Sequence, residues 1–161
     1  MSTKLSENFS LEELCASNKA TAKKINNTPS PEVRKNLERL CKEVLQPIRN
    51  KYGRAITVNS GYRCPELNKL VGGVPTSQHV KGEAADIKCT ATSKAELFNI
   101  IKDMINKKEI KVGQLIWEYG TKTEPKWIHV SLPYSKVNQI IYLYKNKLRN
   151  RNLTKNKNGV T

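Results

Sequence analysis

From Val33 onward apolar residues recur at steps of three or four, at Val33, Leu37, Leu40, Val44 and Ile48, which sets them along one stripe of a helix. Ser30-Pro31 followed by Glu32 opens that helix: serine caps free N–H groups, proline needs no N–H partner in the first turn, and an acid suits the positive end. Pro47 is expected to kink or end it near its last turn, with Tyr52-Gly53 as the stop. Its polar face, with Arg34, Lys35, Arg39, Lys42 and Arg49, reads as solvated. Ser10 and Glu13 stand at capping-box spacing and predict a short helix over 8–14, whereas 18–30, rich in Asn, Lys, Thr and Pro, reads as a connector. The same box, Ser93 and Glu96, precedes a second amphipathic helix with Leu97, Ile100, Ile101, Met104 and Ile105 facing a core, and 65–70 forms a brief one. Apolar and β-branched runs at 55–59, 84–88, 114–119, 127–132 and 137–144 predict strands, the third and fourth joined as a hairpin through GTKTEPK. Helices first, then strands with one helix among them, predict an α+β domain in which a small, largely antiparallel sheet packs against helices.

Composition changes that picture at one end. The chain has 161 residues, enough for a single domain with one core, and its 29 Lys and Arg against 14 Asp and Glu give a net charge of +15. Residues 145–161 carry six basic side chains, no acid and too few apolar positions to pack, so we divide the chain into a domain over 1–144 and a basic, flexible tail over 145–161. Without those six charges the remainder still stands at +9. Such a balance favours polyanions, among them nucleic acid, anionic membrane surfaces and acidic wall polymers, without choosing between them. No zinc-finger spacing, RNP-like pattern or base-reading helix-turn-helix accompanies it, so a specific nucleic-acid role would rest on charge alone. No apolar run approaches the roughly 20 residues that span a bilayer, so no membrane insertion is expected, and MSTKLSENFS lacks an apolar signal core. Four cysteines without CxxC spacing, Cys15, Cys41, Cys64 and Cys89, read as reduced, partly buried thiols.

The candidate chemistry lies in SQHVKGEAAD, Ser77 to Asp86. Here His79 and Asp86 flank Gly82, a residue that lets the backbone turn back so that both side chains can converge. Asp86 sits among Ala84, Ala85 and Ile87, where a carboxylate is costly unless it is paired or metal-bound. His129, the only other histidine, lies in the strand-like run WIHVS. Alone, each of these is more often an ordinary surface or hydrogen-bonded residue. Together they offer two nitrogens and one oxygen with a fourth position free, a sensible catalytic zinc site. If the hairpin strands pair, Glu118 and His129 approach one pocket. Arg63, in the turn after the first strand, offers a fork of donors for a carboxylate or oxyanion, although its local sequence by itself reads first as a surface arginine.

The runs SGYRCPELN, SQHVKGEAADI, QLIWEY and WIHVS resemble the zinc D-alanyl-D-alanine carboxypeptidases and phage peptidoglycan endopeptidases of the M15 peptidase family, over roughly residues 8 to 144. The family's SxHxxGxAxD motif falls on Ser77, His79, Gly82, Ala84 and Asp86. The resemblance implies the fold shared with the hedgehog signalling domain, Zn2+ held by His79, Asp86 and His129, and a monomeric metallopeptidase acting on peptidoglycan stem peptides, with an anionic wall polymer as a further partner. It assigns Arg63 to the scissile carbonyl and makes Ser77, Gln78, Tyr62 and Trp127 substrate-lining candidates. Some members have a glutamate three positions before the last histidine, where this chain has Lys126; the base is then Glu118, as in hedgehog-like relatives, with Glu124 the alternative. The departure at Lys126 also keeps a second reading in play, a non-catalytic zinc-containing wall-binding or virion structural protein. Synthesis in the cytoplasm without a signal peptide, and access to the wall after holin-type release or as a virion component, complete the expectation.

Overall fold

The computed structural model describes residues 2–144 and the backbone of Thr154–Lys155. Two short strands, β1 (Lys4–Ser6) and β2 (Phe9–Ser10), pair antiparallel ahead of α1 (Leu11–Cys15), whose cap Ser10 accepts from Glu13 N as the capping box predicts. The connector expected over 18–30 contains a one-turn helix, α2 (Asn18–Ala22), because Ser17 caps Ala20 N in the same way. The predicted long helix is present as α3 (Pro31–Leu40), a π-helical turn (Cys41–Leu45) and α4 (Gln46–Tyr52), and it stops at Gly53 with φ +75°.

Pro47 neither ends nor breaks this helix. A proline ring collides with the carbonyl four residues back and leaves it without a donor. Here the preceding turn widens, so that Gln46 N reaches the Cys41 carbonyl five residues back, and the extra residue absorbs the misfit. The helix carries Leu37, Leu40, Val44, Leu45 and Ile48, all fully buried, against the sheet. At about 1.5–3 kcal/mol for each side chain removed from water, this stripe is the main anchor of the helix. α6 (Lys94–Asn106), capped by Ser93, adds Leu97, Phe98, Ile101, Met104 and Ile105 to the same core.

The main sheet has the order β3-β4-β6-β5-β7-β8, with β3 (Thr57–Ser60), β4 (Ala84–Lys88), β5 (Gln114–Glu118), β6 (Trp127–Ser131), β7 (Gln139–Tyr144) and β8 (Thr154–Lys155). All pairs are antiparallel except β5 with β7. The tail predicted to be loose over 145–161 lies outside the described residues, apart from Thr154–Lys155, which pair with Leu143 and Tyr144 at the end of β7. Cys15, Cys41, Cys64 and Cys89 are free thiols, the last three buried. Among the described residues no helix is long and apolar enough to cross a membrane.

The two-residue period of the strands sorts the sheet into two faces. Ala85, Ile87, Leu115, Trp117, Ile128 and Val130 join the helices in the core. The alternate positions, Asp86, Glu118, Gln114, His129 and Ser131, therefore share the opposite face. That face is overlaid by α5 (Pro65–Leu70) and by a short 3₁₀ turn (Gln78–Lys81) that ends at Gly82.

Gly82 has φ +73°, and a Cβ placed there would lie 2.8 Å from both Val33 Cγ1 and the Val33 carbonyl oxygen. Left-handed strain of about 1–2 kcal/mol and overpacking of about 1–3 kcal/mol then act together. Gly82→Ala is accordingly expected to lose roughly 2–5 kcal/mol of stability in urea unfolding; a loss below about 0.5 kcal/mol, the usual scatter of surface changes, would refute this account of the turn.

Candidate metal centre

Asp86 and His129 are direct register partners across β4 and β6, so their side chains leave the sheet on one face next to each other. His79 reaches the same point from above. The 3₁₀ turn begins with Ser77, whose hydroxyl accepts from His79 N at 3.2 Å, and closes at Gly82, which returns the chain into β4. The three potential ligand atoms lie within 4.8 Å of one another, and all three residues are buried. The glycine hinge expected between His79 and Asp86 is thus what joins two ligands, and strand pairing supplies the third.

The hydrogen bonds around the imidazoles determine which nitrogen is free. His79 Nδ1 lies 2.7 Å from the Gly61 carbonyl oxygen, which can only accept, so this nitrogen carries the proton and Nε2 turns its lone pair towards Asp86 Oδ2 at 3.4 Å. On the far side His129 Nε2–H donates to Gln78 Oε1 at 2.9 Å, while His129 Nδ1 faces Asp86 Oδ1 at 3.0 Å. Two imidazole lone pairs and a carboxylate therefore converge, and such a set needs a cation or added protons between its members. Asp86 reflects that demand. Burial alone would raise its carboxyl, but once protons are added to the facing nitrogens, hydrogen bonds and charge from His129 and His79 outweigh burial and hold it well below the usual carboxylate range. Zinc fits the donor set, two nitrogens and one oxygen with a position left for a water or substrate.

Gln78, predicted to line the substrate site, holds His129 as well. Its amide Nε2 donates to Ser131 Oγ at 3.2 Å, and that hydroxyl also accepts from Gln114 N at 2.9 Å. Such partners of ligating histidines typically account for about 10–100-fold in metal affinity. Gln78→Leu is expected to weaken zinc binding by about that factor in chelator competition, with Gln78→Glu, still an acceptor for His129 Nε2–H, close to wild type; equal affinities in all three proteins would remove Gln78 from this role.

Glu118 ends β5, with Trp127 as its register partner on β6. Burial pushes its carboxyl up to about 7; the His129 charge opposes this, Asp86 reinforces it, and Arg63 opposes it further. Glu124 lies elsewhere: its oxygens accept from Lys94 N at 2.9 Å and Ala95 N at 3.2 Å at the start of α6, and it pairs with Lys94 Nζ at 3.2 Å. Lys126 is exposed, its backbone N bonded to the Glu118 carbonyl.

Arg63 is half-buried and is not a free surface arginine. Its Nε donates to Asn68 Oδ1 and one terminal nitrogen to Ser60 Oγ, each at 3.1 Å, with a longer approach of 3.5 Å to Ser77 Oγ. Burial lowers its pKa, and the charges of Asp86 and Glu118 oppose that shift. Tyr62 and Trp127 line a cavity of about 460 Å³ with Arg63 and Asp86, and Ser77 and Gln78 line a second of about 530 Å³ with His129. Tyr119, next to Glu118, holds φ +56° and sets its ring against Trp127 with centroids 5.6 Å apart. For an aromatic residue this backbone conformation is an outlier of the sort that gathers at functional sites.

Four residues of the site escape the sequence reading. Ser60 and Asn68 orient Arg63, Ser131 anchors Gln78, and the Gly61 carbonyl fixes the His79 tautomer. All four stand in runs that carry the family resemblance, Ser60, Gly61 and Asn68 in SGYRCPELN and Ser131 in WIHVS, but nothing local in those runs assigns them a role.

The sequence model of the Peptidase M15 family matches residues 7–131, which takes in all three ligands together with Arg63 and Glu118. The chain belongs to the M15 peptidase family. No curated protein sequence matches it closely enough to count as a relative. With the His79, Asp86 and His129 triad assembled in an α+β fold of this kind, the protein is a zinc metallopeptidase, and family and triad together support activity of the zinc-dependent peptidoglycan-hydrolase type.

Proposed function

We propose that this M15 peptidase hydrolyses peptide bonds in peptidoglycan stem peptides, with Glu118 as general acid and base and Arg63 as the donor to developing negative charge. The observation that carries the reading is the single sheet face on which β4, β5 and β6 present Asp86, Glu118 and His129 together. When bound, zinc supplies Lewis acidity towards a water molecule and the scissile carbonyl. His79, Asp86 and His129 hold it, the two imidazoles kept in the ligating tautomer by the Gly61 carbonyl and Gln78.

Glu118 takes the proton of the attacking water and returns it to the leaving amine. In the metal-free protein burial raises its carboxyl to about 7, and a carboxyl displaced upward in this way is suited to take up a proton and give it back near neutral pH. Arg63, fixed through Ser60 and Asn68, directs its charge at the carbonyl oxygen without having to reorganise as the reaction proceeds.

The +15 charge supports an accessory role for the basic segment 145–161, which would concentrate the peptidase domain, 1–144, on an anionic wall polymer. Access to the wall after holin-type release, or as part of a virion, belongs to the same reading. The deciding experiment is digestion of purified peptidoglycan by the zinc-loaded protein, with products identified by mass spectrometry. New termini that depend on zinc support the hydrolase. A folded, zinc-loaded protein that binds walls and yields no product would replace it with a wall-binding or virion structural role.

A further inference from the structure

We infer that the protein cuts internal peptide bonds, binding substrate residues on both sides of the metal centre, and does not trim single terminal residues. The inference rests on the hydrolase reading and adds the form of the substrate.

The ligands Asp86 and His129 are neighbours across one strand pair, yet each opens on a different cavity. Asp86 faces the cavity of about 460 Å³ with Ser60, Tyr62, Arg63, Leu67 and Trp127, and His129 faces the one of about 530 Å³ with Gln78, Lys81, Gln114, Tyr134 and Lys136. The metal centre therefore lies between two clefts, and neither is enclosed. Each alone falls within the range of about 300–1,000 Å³ that holds a ligand of some tens of atoms. A terminal alanine has far fewer, and would leave most of either cleft filled with water. Two or three extended residues on each side reach about 7–11 Å and would extend from the metal centre into both clefts.

Recognition of a chain end needs something more, a fixed and desolvated cation for the terminal carboxylate. Lys81 and Lys136 in the second cleft are both exposed. Among the described residues that line the first cleft Arg63 is the only cation, and it is tied to Ser60 and Asn68 and assigned by the hydrolase reading to the scissile carbonyl. The clefts also differ in character: Leu67, Val71 and the Trp127 ring line the first, whereas Gln78, Gln114 and Ser135 line the second. Unlike walls on the two sides read a peptide on both sides of the cut.

The test uses the zinc-loaded full chain and synthetic stem peptides in which the bond cut in walls is flanked by one, two or three residues on each side. We expect kcat/KM to fall at least about tenfold when either flank is shortened to one residue, since remote binding contributes to the rate of the chemical step. Val71→Trp and Ser135→Trp, exposed positions that narrow one cleft each, are expected to raise KM separately while zinc affinity stays unchanged. Release of terminal D-alanine from a free pentapeptide at a rate equal to internal cleavage, or indifference to truncation and to blockage on one side, overturns this inference and leaves the hydrolase standing. No cleavage of any peptide or wall overturns the hydrolase reading and this inference with it.

Discussion

Glu118→Gln should lower kcat by about 10²–10⁴-fold on any substrate the protein cleaves, the usual contribution of a positioned acid or base. Glutamine keeps the size and the hydrogen-bonding oxygen of the side chain but cannot accept and return a proton. Zinc stoichiometry should remain that of wild type, because the ligands are His79, Asp86 and His129. Stability should not suffer. Burial raises the Glu118 carboxyl from 4.5 to about 7, so the folded protein holds this proton more tightly than the unfolded chain. Its contribution is then present at low pH and lost as pH rises through that window, a loss the glutamine variant escapes. At pH 8 the zinc-free variant is expected to unfold no earlier than zinc-free wild type.

Glu124→Ala provides the contrast. It removes the acceptor for Lys94 N and Ala95 N at the start of α6, with an expected cost of about 1 kcal/mol, and should leave kcat within about twofold of wild type. Kinetic measurement of both variants separates the two carboxylates. A Glu124 variant as inactive as the Glu118 variant, with its fold intact, would reverse the assignment of the base.

His79→Ala is the second large effect. It removes one of three protein ligands and, with it, the partner of the Gly61 carbonyl, a buried acceptor whose loss costs about 1–3 kcal/mol in the absence of any metal. The more telling readout is linkage. Wild type should gain about 2.7 kcal/mol at zinc a hundredfold above its dissociation constant, whereas the variant should gain far less at the same concentration. Activity should fall by about 10³-fold or more, since metal polarisation of a carbonyl is worth several kcal/mol. A variant whose unfolding midpoint still rises with zinc as in wild type would exclude His79 as a ligand.

Much of the architecture is legible along the chain because its signals are local. The serine caps at Ser10, Ser30 and Ser93 and the apolar stripe from Leu37 to Ile48 depend on neighbours within a few residues. Two features depend on balance rather than on pattern. Pro47 reads as a kink or an end, yet a helix held by five fully buried side chains has more to lose by ending than by widening one turn. The connector over 18–30 reads as polar, yet one serine cap suffices for a single helical turn.

The ligand set was legible for a different reason. A histidine, a glycine and an aspartate in an apolar run are close in sequence, and the chain offers one other histidine to complete them. Composition and local pattern thus determined the α+β class, the caps and the metal ligands.

Only the tertiary structure decided how these parts serve one another. Arg63 becomes a held donor because Ser60 and Asn68 meet it across a turn and a helix, and Glu118 is raised to about 7 because burial surrounds it. Glu124, the alternative base in the sequence, is spent on capping α6, some thirty residues away in the chain. The choice of ligating nitrogen on each histidine rests on Gly61 and Gln78, one 18 and the other 51 residues from its partner. Contacts of that separation exist only once strands pair and loops close over them, because side-chain hydrogen bonds and desolvation are properties of a point in space and not of a position in the chain.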